Sequence, residues 1–211
     1  MSQEIQMKWS LATRIGLIVI ACGLALGCGD PEGRVLRADA EFDPALPANV
    51  FHPISESSLL VAQTFVVEEP EGMFEEFELV LTAGESADDG IVRVTVRPLD
   101  GSGVPDPTEA SSIIVPFDVD TATLPAFGAD EFTTFFVGDD PNREVIAGDE
   151  LAIVVEFINR STSTDVDPIA RLAGVSGDVF VEGTGSEDAD GTGFTNSTDD
   201  YFFRTFILTD I

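Results

Sequence analysis

From residue 59 to residue 211, apolar residues come in short bursts separated by polar turn-formers. The bursts at 59–67 (LLVAQTFVV), 74–83 (FEEFELVLTA) and 91–98 (IVRVTVRP) follow closely on one another. In the third, Val92, Val94 and Val96 alternate with Arg93, Thr95 and Arg97. That period of two places the valines on one face of a strand. Comparable runs occupy 111–119, 132–137, 151–158, 169–174 with 178–183, and 201–208. The clusters between them, AGESADDG, LDGSGVPDP, GDDPN and SGD, are rich in the residues that turns require. No run carries a helical period with caps. The pattern predicts an all-β domain over 59–211, a jelly-roll-like antiparallel β-sandwich of about eight or nine strands.

Upstream the pattern changes twice. Lys8 and Arg14 precede an uncharged stretch at 15–27, IGLIVIACGLALG. It falls short of the roughly 20 residues that span a bilayer and matches the apolar core of a secretory signal. After Cys28 the chain turns polar at once. Residues 29–58 carry scattered single hydrophobics with Pro31, Pro44, Pro47 and Pro53, which discourage a helix. The expected organisation is a signal segment at 1–27, a flexible tether at 28–58 and the β-domain at 59–211. Such a tether would hold the domain roughly 30 Å from its attachment point.

Charge narrows the partners. The chain has 39 acidic and 10 basic residues, a formal net charge of −29. Setting aside Lys8, Arg14 and Glu4 leaves 38 acidic and 8 basic residues after position 27, every cation an arginine. Phosphate binding needs a cationic footprint, so nucleic acid is excluded as a partner. Sixteen phenylalanines supply the material of a buried core, which sets the chain apart from acidic disordered tails. The two cysteines, Cys22 and Cys28, both fall in or beside the apolar stretch, leaving the β-domain without disulfide or thiol nucleophile.

The end of that stretch resembles the lipobox of bacterial lipoproteins, a small or apolar triplet before a cysteine that receives diacylglycerol. Cys28 follows Ala25, Leu26 and Gly27, with alanine where the family usually has leucine; Cys22 follows Val19, Ile20 and Ala21. Cys28 is the preferred site and Cys22 the alternative, because cleavage at Cys22 would leave an apolar core of only about seven residues. An ordinary cleaved signal with incidental cysteines is the plainer reading. The resemblance implies a protein held on a membrane of the cell envelope, outer membrane or cell surface, by several acyl chains.

The β-domain resembles the choice-of-anchor type modules of bacterial surface proteins. The likeness runs through Ala62-Gln63-Thr64-Phe65, the run at 74–83, the turn Arg97-Pro98-Leu99-Asp100-Gly101-Ser102-Gly103-Val104-Pro105, the turn and strand from Ala147 to Val154, and Phe203-Arg204-Thr205-Phe206. Where that family places Tyr or Trp late in the domain, this chain has Phe180 and Phe194. The resemblance implies a β-sandwich that serves as a surface interaction module.

Candidate chemistry is sparse. The lone histidine, His52, lies in the expected tether, where it reads as a solvated linker residue. A Ser-His-Asp triad or a catalytic zinc needs more than that. Facing carboxylates could serve glycoside hydrolysis, but no pair among so many acids is singled out. The reading is therefore non-catalytic, with a protein or glycan ligand; polysaccharide binding is the alternative, weakened by Tyr201 being the only Tyr or Trp after the signal. Calcium is the one cofactor the sequence suggests. The loop 185–192 contains D-x-D-G at Asp188 and Asp190, with Asp199 and Asp200 close behind, and hard cations take several carboxylate oxygens. A solvated acidic loop is the alternative reading.

Overall fold

The computed structural model describes residues 34–42, 48–56, 59–69, 71–84, 90–129, 131–138, 143–160, 167–177, 179–180, 183–188 and 192–210. The expected signal segment, Cys22, Cys28 and Asp190 lie outside the described residues. The strands are β1 (Arg34–Phe42), β2 (Val50–Ile54), β3 (Leu60–Val66), β4 (Glu71–Leu79), β5 (Leu81–Ala83), β6 (Gly90–Pro98), β7 (Phe117–Asp120) and β8 (Thr133–Phe136). They continue with β9 (Glu144–Ile146), β10 (Glu150–Arg160), β11 (Ala170–Ser176), β12 (Gly185–Asp188), β13 (Thr195–Asn196), β14 (Asp199–Tyr201) and β15 (Phe203–Asp210). The fold is an antiparallel β-sandwich whose compact body spans residues 36–209.

One layer is a six-stranded sheet in the order β13-β12-β3-β10-β6-β7. The other consists of β1-β15-β4-β8, with β9 also on β4, continued by β14-β11-β2, with β5 also on β11. The two parts of this second layer meet where β4 gives way to β5 and β14 to β15. There three buried residues close a ring of backbone hydrogen bonds. Val80 N–H donates to the Phe202 carbonyl (3.4 Å), Phe202 N–H to Ala173 (3.0 Å), and Ala173 N–H to Val80 (2.9 Å). The ring satisfies the N–H and carbonyl of all three residues.

Between the layers lies the core. Val92, Val94 and Val96 point into it as the alternation predicts, and Val94 is fully buried. Phe65 of the six-stranded sheet meets Phe74 at 6.3 Å and Phe203 at 5.5 Å between ring centroids. Phe77 stacks on Phe135 at 4.8 Å. Such offset aromatic contacts add to the area they remove from water.

Several expectations are corrected. The tether reading of 28–58 fails where the chain is described, since β1 and β2 both lie within it. Prolines excluded a helix but not an edge strand, where the missing N–H can face away from the ladder. Pro53 sits in β2, which among the described residues pairs with β11 alone, opposite Arg171. The strand count is fifteen among the described residues rather than eight or nine, because long runs break at bends and short edge strands were added. Of the run 111–119 only its end forms strand β7. At Val179 and Phe180, within the run 178–183, no ladder forms.

Candidate functional site

Asp188, Asp199 and Asp200, the described members of the suggested calcium set, have structural tasks. Asp188 is buried at the end of β12, and its carboxylate oxygens accept the N–H groups of Thr192 and Gly193, each at 3.1 Å. It ties the end of β12 to the two residues that precede Phe194. Asp200 is buried on β14, and its Oδ2 accepts the N–H groups of Val179 (2.6 Å) and Phe180 (2.8 Å). Those bonds replace the missing ladder and hold Phe180 in the core against Phe42 and Phe203. Asp199 borders β12 instead: a Cβ on Gly185 would lie 1.9 Å from the Asp199 carbonyl oxygen, so glycine is required there. The loop reading of 185–192 is thus corrected over its first half, which is strand β12, paired between β13 and β3. Among the described residues no group of three or more acidic, histidine or cysteine side chains is gathered in metal-binding range.

His52 is not a linker residue. It sits on β2 opposite Leu172, with its side chain 11% exposed. Its ring packs edge-on to Tyr201, with centroids 5.9 Å apart, and Nδ1 lies 3.2 Å from Oε1 of Glu187 on β12. Ser197 Oγ donates to that same oxygen at 2.8 Å, and the Tyr201 hydroxyl donates to it at 3.3 Å. Burial pushes the imidazole below its ordinary pKa despite the pull of Glu187 and Asp199. Burial beside Glu187 also pushes the Tyr201 hydroxyl far up, so it stays a donor. Three groups thus converge on one carboxylate oxygen. Ser197 bonds to the acid and not to the imidazole, so this is not the order of a charge-relay nucleophile. The cluster ties β2, β12 and β14 together at the rim of the sandwich.

The second layer carries a different arrangement on its outward side. On β15, β4 and β8 the register aligns Phe206, Glu76 and Phe136 in one row, and Arg204, Glu78 and Thr134 in the next. Further along β4, Met73 is opposite Leu208 and Glu144, and Glu71 is opposite Ile146. Phe136 is 69% exposed and Ile146 56%. Phe206, Leu208 and Met73 are half-buried. The face therefore mixes five apolar side chains with Glu71, Glu76, Glu78 and Glu144. Burial and the charges of Glu78 and Glu75 push the Glu76 carboxyl above its ordinary pKa.

Sequence reasoning missed this face. Phe135 and Phe136 are adjacent in FTTFFV, and since neighbouring strand residues point to opposite sides, one of them had to point outward. Phe135 is the buried one. Of the aromatics singled out late in the domain, Phe180 is core and Phe194 packs over the six-stranded sheet. No family model matches the chain, and neither a curated protein nor a solved structure matches it.

Proposed function

We propose that the chain is a non-catalytic, lipid-anchored module of a bacterial cell envelope that holds a macromolecular partner on the outward face of β15, β4, β8 and β9. The observation that carries this reading is that face, with Phe136 and Ile146 mostly exposed among glutamates on a rigid sheet. Anchoring rests on the apolar stretch ending at Cys28, with Cys22 as the alternative. Function is read from the face and not from the fold, since sandwiches serve many purposes.

Two experiments test it. Expressed in a bacterial host, the chain incorporates labelled fatty acid, and Cys28→Ser abolishes incorporation while Cys22→Ser does not; label lost only with Cys22→Ser moves the anchor upstream. A photo-crosslinking residue placed at position 136 captures a macromolecule on intact cells, whereas the same residue at exposed position 150, on the other layer, does not. Equal capture from both positions, or none from 136, refutes the interaction reading.

A further inference from the structure

We propose that this outward face binds arginine side chains of a cationic protein segment, with a guanidinium seated over Glu76 between Phe136 and Phe206. The inference rests on the interaction reading above and names the chemistry of its partner. In the row Phe206–Glu76–Phe136 an aromatic residue stands on the neighbouring strand, about 5 Å away along the backbone, to each side of Glu76. A planar guanidinium meets both needs of such a site, pairing with the carboxylate and lying against the rings.

The same face already holds one guanidinium in this way. Arg204 lies over the Phe132 ring, 4.1 Å from its centroid, and donates to Glu78 at 3.3 Å, with Glu41 3.9 Å from its Nε. Glu76 repeats that arrangement with two aromatic neighbours, and the charges that act on its carboxyl are those of Glu78 and Glu75. The acidic neighbours that push its carboxyl up are the charges a cationic partner would relieve. Charge also argues against the other occupants. A second copy of this chain would set the glutamates of one face against those of the other, on a chain of net charge −29. A neutral glycan would leave the carboxylate charges unpaired.

The test uses the full chain in detergent micelles with two nine-residue probes, alternating arginine and serine or lysine and serine, at about 150 mM salt, where long-range attraction is screened. The arginine peptide should bind more tightly than the lysine peptide. Phe136→Ala and Glu76→Gln should each weaken it by about fivefold, the size of an exposed cation–π contact. Glu150→Gln, an equal charge change on the other layer, should not weaken it. Melting curves of all three variants show whether each is folded. Equal binding of the two peptides, or equal loss with Glu150→Gln, would mean general charge attraction and overturn the inference. So would binding of a neutral oligosaccharide, or self-association, that Phe136→Ala abolishes in the absence of peptide binding. In those two cases the interaction reading survives with a different occupant. Absence of every ligand together with absence of capture from position 136 removes both.

Discussion

Two outward faces of this sandwich are built from the same alphabet and finished differently. On the six-stranded sheet, Ala62, Ala152 and Val154 point away from the core yet are fully buried, because Leu59, Leu99 and Phe194 pack over them. Two of its arginines are closed as well. Arg97 is 1% exposed; it bonds Thr95 (2.9 Å), Glu156 (2.9 Å) and the Pro107 carbonyl (3.3 Å) of the segment that folds back after β6. Arg93 pairs with Asp118 through two bonds of 2.6 and 3.0 Å and with Glu109 at 2.9 Å. On the outward face of β4, β8, β9 and β15, Phe136 and Ile146 remain in solvent, and of its four glutamates Glu78 pairs with Arg204.

The carboxyl groups register the difference. The Arg93 guanidinium holds Asp118 below its ordinary pKa, while on the other face burial beside Glu78 and Glu75 holds Glu76 above its own. The chain has few cations and commits two arginines to closing one face. What it leaves open is a surface short of positive charge, and that is why a cationic partner fits it.

The largest contrast is expected from the same substitution on the two faces. Val154→Asp buries an unpaired charge and should cost several kcal/mol, enough to unfold a domain of ordinary stability. Phe136→Asp should change stability by about 0.5 kcal/mol or less, as exposed substitutions do. Urea unfolding followed by circular dichroism measures both, and tolerance of Val154→Asp would mean that the first face is open too.

A smaller effect is expected where Asp188 holds the residues just before Phe194, which packs on the closed face. Asp188→Asn loses one of two charged acceptors for the Thr192 and Gly193 N–H groups. It should cost about 1–2 kcal/mol. Because the task of the carboxylate is to hold backbone, the loss should be equal in chelator and in millimolar calcium. A loss confined to calcium-containing buffer would restore Asp188, with Asp190, as ion ligands.

The smallest effect is a gain. A carboxyl whose native pKa is raised penalises the folded state once it ionises, above that raised value, and imposes no penalty below the unfolded value of about 4.5. Glu76→Gln should therefore raise the melting temperature slightly at pH 7, and the gain should vanish as pH falls through the raised value toward 4. Asp118→Asn should do the opposite, lowering stability at pH 7 with the loss fading only below the ordinary aspartate range, near 3.8. Melting curves across pH 3 to 8 distinguish the two signs.

Much of the sandwich was legible in the chain. Valines at 92, 94 and 96 point inward as their alternation requires, and β3, β6, β8 and β10 fall on the runs that announced them. The strands in 34–54 were hidden because each buries few side chains; in β1 Ala40 and Phe42 face the core while 35–38 stay exposed. Edge strands need pairing more than hydrophobicity, and pairing is not written locally. His52 was misplaced for the same reason, since its partners Glu187 and Tyr201 lie more than 130 residues away in sequence. The open face was half-legible. Alternation says that Glu76 and Glu78 share a side, but only the register of β8 and β15 sets Phe136 and Phe206 around Glu76.

Thiol reactivity measures the contrast between the faces directly. In a chain with Cys22→Ser and Cys28→Ser, which removes both native thiols, Phe136→Cys and Val154→Cys each introduce a single reporter without charge. Labelling of the folded protein with a maleimide should proceed at position 136 at the rate of the urea-unfolded chain. At position 154 it should proceed orders of magnitude more slowly, limited by the opening of the closed face. Comparable rates at the two positions, whether both fast or both slow, would contradict the assignment of one closed and one open face.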